Sequence, residues 1–188
     1  MNKYLITLLI LISASASSFA QQEQSSSGFD KSRLFAGGNF ALSFGTYTLV
    51  NVSPQVGYHF TDMFAAGVGI NYIYYNYRIY NADGSLAGRD IYSYAGMNVF
   101  GRVYPIRQMF LQAQPELNYV WGKTEDYNDH ITASLKGQFV PSLLLGGGAA
   151  IPAGRGAIMI SVMYDVLQNN LSPYYHQAVF GFGYVMGF

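Results

Sequence analysis

Eight stretches of this chain alternate large apolar residues with small or polar ones at a period of two, which leaves few folds open. In one stretch Val50, Val52, Pro54, Val56, Tyr58 and Phe60 share a side, against Asn51, Ser53, Gln55, Gly57 and His59. In another, Met109, Leu111, Ala113, Pro115, Leu117, Tyr119 and Trp121 oppose Phe110, Gln112, Gln114, Glu116 and Asn118. The pattern, with its richness in Tyr, Phe, Val and Ile, predicts strands near 33–45, 47–61, 64–80, 91–105, 109–123, 138–152, 156–168 and 177–188. No segment after residue 20 carries a helical period of useful length.

The connections sort by length. The joints at 61–63, 106–108 and 153–156 are tight, whereas 81–90, 123–137 and 168–176 are longer and polar; the first joint, near 45–47, is short. Short turns at one end, longer loops at the other and an even strand count predict an all-β, eight-stranded antiparallel up-and-down transmembrane barrel.

Charge supports a membrane rather than water outside. Asp, Glu, Lys and Arg make up 11% of the chain, against roughly 25% in soluble domains. The polar faces are mostly Asn, Gln, Ser and Gly, which suits a packed interior. A soluble barrel would carry Lys and Glu there, so a lipocalin-like fold is the structural alternative. Only Arg102, Glu116 and Asp165 fall in the middle of predicted strands, all on the polar parity. An Arg or Lys facing lipid at the midplane would cost roughly 2–4 kcal/mol. Ten basic and ten acidic residues leave no net field to attract nucleic acid.

The opening "MNKYLITLLILISASASSFA" has a Lys, an apolar run from Tyr4 to Ile12 and a small-residue end at Ala20. That run is shorter than the roughly 20 residues a membrane helix needs. It predicts a signal peptide, 1–20, cleaved on export. Residues 21–32 read as a flexible periplasmic leader and 33–188 as the barrel domain. No cysteine is available for a disulfide.

The polar parity brings His59, Asn98, Arg102, Gln112, Gln114, Glu116, Asn118 and Asp165 into the lumen. Eight strands leave an interior just wide enough for side chains, so these residues predict a hydrogen-bonded polar core, with Arg102 paired to Glu116 or Asp165. Tyr72, Tyr74, Tyr92, Tyr94, Tyr119 and Trp121 predict one aromatic girdle, and Tyr58, Phe60, Phe64, Tyr104 and Phe110 the other.

The chain ends "AVFGFGYVMGF", with Phe180, Phe182, Tyr184, Met186 and Phe188 on one parity. A terminal Phe preceded by alternating apolar residues resembles the signal that outer-membrane assembly machinery recognises. "VSPQVGYHFTDMFAAGVGINY" at 52–72 resembles the outer-membrane β-barrel domain family of small Gram-negative proteins, akin to OmpX and the membrane domain of OmpA. The resemblance implies a monomer in the outer membrane with periplasmic termini, its partners being outer-membrane lipids, lipopolysaccharide and the assembly machinery. It implies a non-enzymatic role in envelope integrity or surface interaction, with no cofactor.

Two rival functions have candidate residues. Some eight-stranded barrels modify lipid A with a His, a Ser and a carboxylate. Here His130, with Glu125, Asp126, Asp129 and Ser134, forms the one such cluster, without the tight His-x-Ser spacing; it is also a weak candidate for a divalent cation. A narrow transporter would conduct along Arg102 and Glu116.

Overall fold

The computed structural model describes residues 30–43 and 47–187. The predicted signal segment, most of the leader, the first joint and Phe188 lie outside the described residues.

A 3-10 turn, Lys31–Arg33, leads into eight strands: β1 (Leu34–Ser43), β2 (Tyr47–His59), β3 (Phe64–Tyr80), β4 (Leu86–Ile106), β5 (Met109–Asp126), β6 (Ile131–Ala153), β7 (Gly156–Asp165) and β8 (Ala178–Met186). Each pairs antiparallel with the next, and β8 returns to β1 through Ala36↔Met186 to Asn39↔Gly183, closing the barrel. The predicted fold class is therefore the observed one. Short side chains permit the tight ends: Thr61 Oγ1 accepts from the Phe64 amide at 3.0 Å, and Gly154 turns β6 into β7 at φ +63°. Proline has no amide to donate, and the β2–β3 and β4–β5 ladders each skip two pairs, at Pro54 and Pro115.

The wall is lopsided. Strands β1, β7 and β8 have 10, 10 and 9 residues, whereas β3 to β6 have 17, 21, 18 and 23. A membrane crossing takes roughly 9–11 residues, so β3 to β6 continue past the ring as a sheet. The predicted long loops are corrected accordingly. The segment 81–90 is a hairpin whose turn is Asn81–Ser85, and 123–137 is a hairpin turning at Tyr127–His130. Pairing across these hairpins, such as Asp90↔Thr124 and Lys123↔Ser134, recruits polar residues that are weak strand formers alone. β7 joins β6 only from Leu144↔Asp165 inward. Among the described residues, β6 from Ile131 to about Val140 is paired on one side only, against β5.

Outside the ring, Phe180, Met97 and Phe139 are 77%, 70% and 68% exposed. Inside, the core is layered. At the short-turn end Phe35, Phe100, Tyr104, Phe110, Met159 and Val185 pack into an apolar floor; fully burying one such side chain is worth about 1.5–3 kcal/mol. Gly57 and Gly67 make room for it, since a Cβ on either would collide with the ring of Phe35 or Phe100. Tyr104 and Phe110, expected in the outer belt, belong to this floor at 4% and 3% exposure. They share the inward parity of Arg102 and Gln112. Near the opposite mouth Ile73, Leu144, Met163 and Tyr174 form a second apolar layer, with Tyr94 and Val179 against it. The polar residues lie between.

Candidate functional site: the barrel interior

Four residues of β5 at a spacing of two, Gln112, Gln114, Glu116 and Asn118, project inward in a row. Arg102 Nε, on β4, donates to Gln112 Oε1 at 2.5 Å. Gln112 Nε2 donates to Gln114 Oε1 at 2.7 Å, and Gln114 Nε2 to Glu116 Oε2 at 3.1 Å. From Arg102 to Glu116 every donor points the same way, from guanidinium to carboxylate. Glu116 Oε1 also accepts from Asn118 Nδ2 (2.5 Å), Tyr174 Oη (2.9 Å) and Asn71 Nδ2 (3.2 Å). Asn71 reaches Asn118 Oδ1 at 2.6 Å as well.

Arg102 is bound on its other side by Gln55 Oε1, at 2.8 Å from Nη2. Its guanidinium carbon lies 4.4 Å from the Phe100 ring centroid, 5.4 Å from that of Phe110 and 5.8 Å from that of Phe35. It thus stands on the aromatic floor and faces the amides, a setting in which cation–π attraction is strengthened by desolvation. The expected direct ion pair is corrected: Arg102 does not touch Glu116 or Asp165. Two glutamine amides stand between the charges, because the register sets Arg102 opposite Gln112, four residues below Glu116.

Asp165 has a different task. Fully buried at the end of β7, its Oδ1 accepts the amides of Leu143 and Leu167, each at 3.1 Å, and its Oδ2 accepts Ser172 Oγ at 2.8 Å. Ser172 Oγ lies 3.0 Å from Ser142 Oγ, and Gln168 Nε2 donates back to the Asp165 carbonyl. With Gln168 and His176 at positive φ, these bonds fold the β7–β8 segment inward. Tyr174 is carried down onto Glu116 and is 8% exposed. Sequence reasoning placed Tyr174 in a surface loop. Its signal was slight: "SPYY" in a segment that had to fit over a narrow ring.

The remaining predicted residues divide. His59 is at the short-turn end, 4.9 Å from the Phe35 ring and 5.7 Å from that of Tyr104, in the floor rather than the amide row. Asn98 faces inward at 8% exposure. Tyr72, Tyr119 and Trp121 lie on the outer face; Tyr119 contacts Trp121 and Phe139 at 5.8 and 5.1 Å. Tyr74 shares the parity of Tyr72. Tyr92 and Tyr94 are corrected, because they carry the parity of Asn98 and Arg102 and turn inward. Tyr92 Oη is 3.4 Å from Thr124 Oγ1, and Tyr94 backs the upper apolar layer. Phe180, Phe182, Tyr184 and Met186 share the outward face of β8.

The carboxylates around His130 have structural duties. Glu125 binds Arg89 at 2.6 Å, Lys123 at 2.5 Å and Tyr127 Oη at 2.9 Å. Those hydrogen bonds, Arg89 first, pull its carboxyl down to about 2. Asp126 Oδ1 caps the turn through the amides of Asn128 and Asp129, at 2.9 and 3.2 Å. His130 turns the hairpin at φ +53°, while Ser134 lies on β6 opposite Lys123. Among the described residues no group of His, Cys, Asp and Glu is placed to hold a metal ion.

These features define a class: a closed eight-stranded antiparallel barrel, apolar outside, filled inside, with a sheet emerging from one end. No family model matches the sequence. No curated protein matches it either. Among solved structures, the chain is similar to the Yersinia pestis outer membrane protein Ail, whose backbone was solved in a phospholipid bilayer nanodisc. The identity is 16% and the TM-score 0.43, over 81% of this chain and 97% of that one.

Proposed function

We propose that this protein is a non-enzymatic barrel of the outer membrane, exported with its termini on the periplasmic side, whose emergent sheet is a surface for interaction. The observation that carries this reading is the outer face. Large apolar side chains on all eight strands, Phe40, Val56, Ile70, Met97, Leu111, Phe139, Ile160 and Phe180 among them, are 44–77% exposed. A contiguous band of that extent needs lipid around it.

The partners follow from height on the wall. Above Tyr72, Tyr119 and Trp121, Arg78 opposes Arg89 across the β3–β4 pair, and Lys123 lies on the neighbouring β5 strand. Cations just above an aromatic girdle favour anionic headgroups, those of lipopolysaccharide in this membrane. The free edge of β6 supports the interaction role: its one-sided stretch can accept an extended strand from another chain. Lys136 and the bulge opposite Val120 and Gly122 blunt its lower half, which leaves Ile131 to Leu135 as the receptive part. Phe180 to Phe188 is the stretch proposed for the assembly machinery.

Fractionation with surface proteolysis tests the reading. The full chain should sediment with the outer membrane, and added protease should cut only near 81–85 and 127–130. Recovery from the soluble periplasm would overturn it.

A further inference from the structure

The interior holds a feature that neither the scaffold nor the emergent sheet requires. Beside Tyr174 lies a cavity of about 60 Å³, bordered by Asn39, Asn51, Gln55, Asn98, Gln114 and Glu116 among others. At roughly 10–15 Å³ per water centre it has room for a small ion and a few waters. Tyr174, Leu144, Met163 and Val179 border it on the apolar side.

Two observations indicate what it takes. The first is charge. Among the described residues, the Asp, Glu, Lys and Arg side chains buried in the barrel to 5% exposure or less are Arg102, Glu116 and Asp165. One cation against two carboxylates leaves an excess negative charge in a medium that penalises unbalanced charge heavily. The second is a polar group without a protein partner. The Asn98 side chain is more than nine-tenths buried, borders the chamber and forms no hydrogen bond within the protein. Nearby, Asn71 Oδ1 is buried without a donor. A cation in the cavity would meet the Asn98 amide oxygen and Glu116 Oε2, which accepts a single hydrogen bond.

We propose that the chamber is a binding site for a small monovalent cation, held by Glu116 and the amide oxygens around Asn98 and closed by the Tyr174 hydroxyl. A divalent ion is disfavoured: it seeks six or more oxygens and more charge than one bordering carboxylate supplies. The proposal requires only the closed barrel, so it stands or falls separately from the cellular location.

The test uses the full chain folded in vesicles of neutral phosphatidylcholine, with thermal unfolding followed in KCl and in tetramethylammonium chloride at equal ionic strength. Tetramethylammonium is too large for the chamber. Potassium should raise the midpoint by about 3 °C, saturably. Glu116→Gln should abolish the difference at unchanged volume. Asn98→Leu, which breaks no hydrogen bond and leaves the row intact, should reduce it several-fold and serves if Glu116→Gln does not fold. Equal midpoints for the wild type would mean that water alone, or a protonated Glu116, fills the chamber. A difference that survived both substitutions would place the cation elsewhere. Either result overturns the proposal.

Discussion

The row of amides between Arg102 and Glu116 makes a prediction that a pair in direct contact would not. Consider Arg102→Met, which keeps most of the volume and removes the charge. The substitution deletes hydrogen bonds to Gln112 at 2.5 Å and Gln55 at 2.8 Å, each worth about 1.5–3 kcal/mol when one partner is charged. It also removes cation–π contact with Phe100 at 4.4 Å, about 1–2 kcal/mol in a desolvated setting. Release from the cost of burying the guanidinium offsets part of this. Removing one member of a buried charged network leaves a net loss of about 3–5 kcal/mol. The informative quantity is the coupling. With Arg102 gone, Gln112 and Gln114 lose their fixed direction and Glu116 its distant counter-charge, so Glu116→Gln should cost less in that background. A double-mutant cycle by urea unfolding in bilayers should give about 1–2 kcal/mol of coupling between two residues that do not touch. Gln114→Leu should reduce it by breaking the row. Additivity within about 0.5 kcal/mol is what independent sites give, and that result would refute the relay.

Three further outcomes follow from the same geometry. Tyr174→Phe removes one donor from Glu116 and should cost about 1–3 kcal/mol, with faster amide exchange over 166–177; unchanged exchange would mean the Asp165 contacts hold the segment alone. Gly67→Ala puts a methyl against the Val56 carbonyl and 2.5 Å from Phe100 Cζ, and should destabilise by about 1–3 kcal/mol, read as a lower urea midpoint. Glu125, depressed from its ordinary 4.5 to about 2, binds fewer protons folded than unfolded between those values. Its support for the β4–β5 pairing is thus present above pH 4.5 and lost as pH falls through 2; a carboxyl titration by NMR should find the low midpoint in the wild type and a higher one in Arg89→Ala.

Strand identity was legible wherever a face was buried, because the period of two is imposed by that burial. The ends of β4 and β6 were not, since "LAGRD" and "ITASLKG" are held as strand by cross-strand partners and not by their own preference. The inward turn of Tyr92 and Tyr94 could have been read by counting back in twos from Arg102. Counting forward would have placed Tyr104 in the floor, and the same counting from Gln112 would have placed Phe110 there. Their aromatic character outweighed their parity. The identity of Arg102's partners could not be read. It depends on the register of β4 against β5 and on which glutamine bridges which gap, and composition fixes neither. Tyr174 depends on two backbone positions at positive φ and on Asp165 capping two amides, which a sequence pattern does not disclose.

The division between ring and emergent sheet also explains how the charges are spread. Inside the ring each charge has to be met by several dipoles at once, and so Arg102, Glu116 and Asp165 are few and heavily bonded. Above the ring, where water does that work, Arg78, Arg89, Lys123, Glu125 and Asp126 crowd the ends of β3 to β5. The short-turn end is filled by Phe35, Phe100, Tyr104 and Phe110, with Arg102 on top of them. Mutations in the floor should therefore change stability, while mutations at the free edge of β6 should change binding and leave the barrel intact. Ser134→Pro, at a position whose backbone N–H faces away from β5, takes a proline to the edge without touching the ring and separates the two. An unaltered urea midpoint with lost capture of a strand-forming ligand would assign interaction to the edge, and a lowered midpoint with binding retained would contradict that assignment.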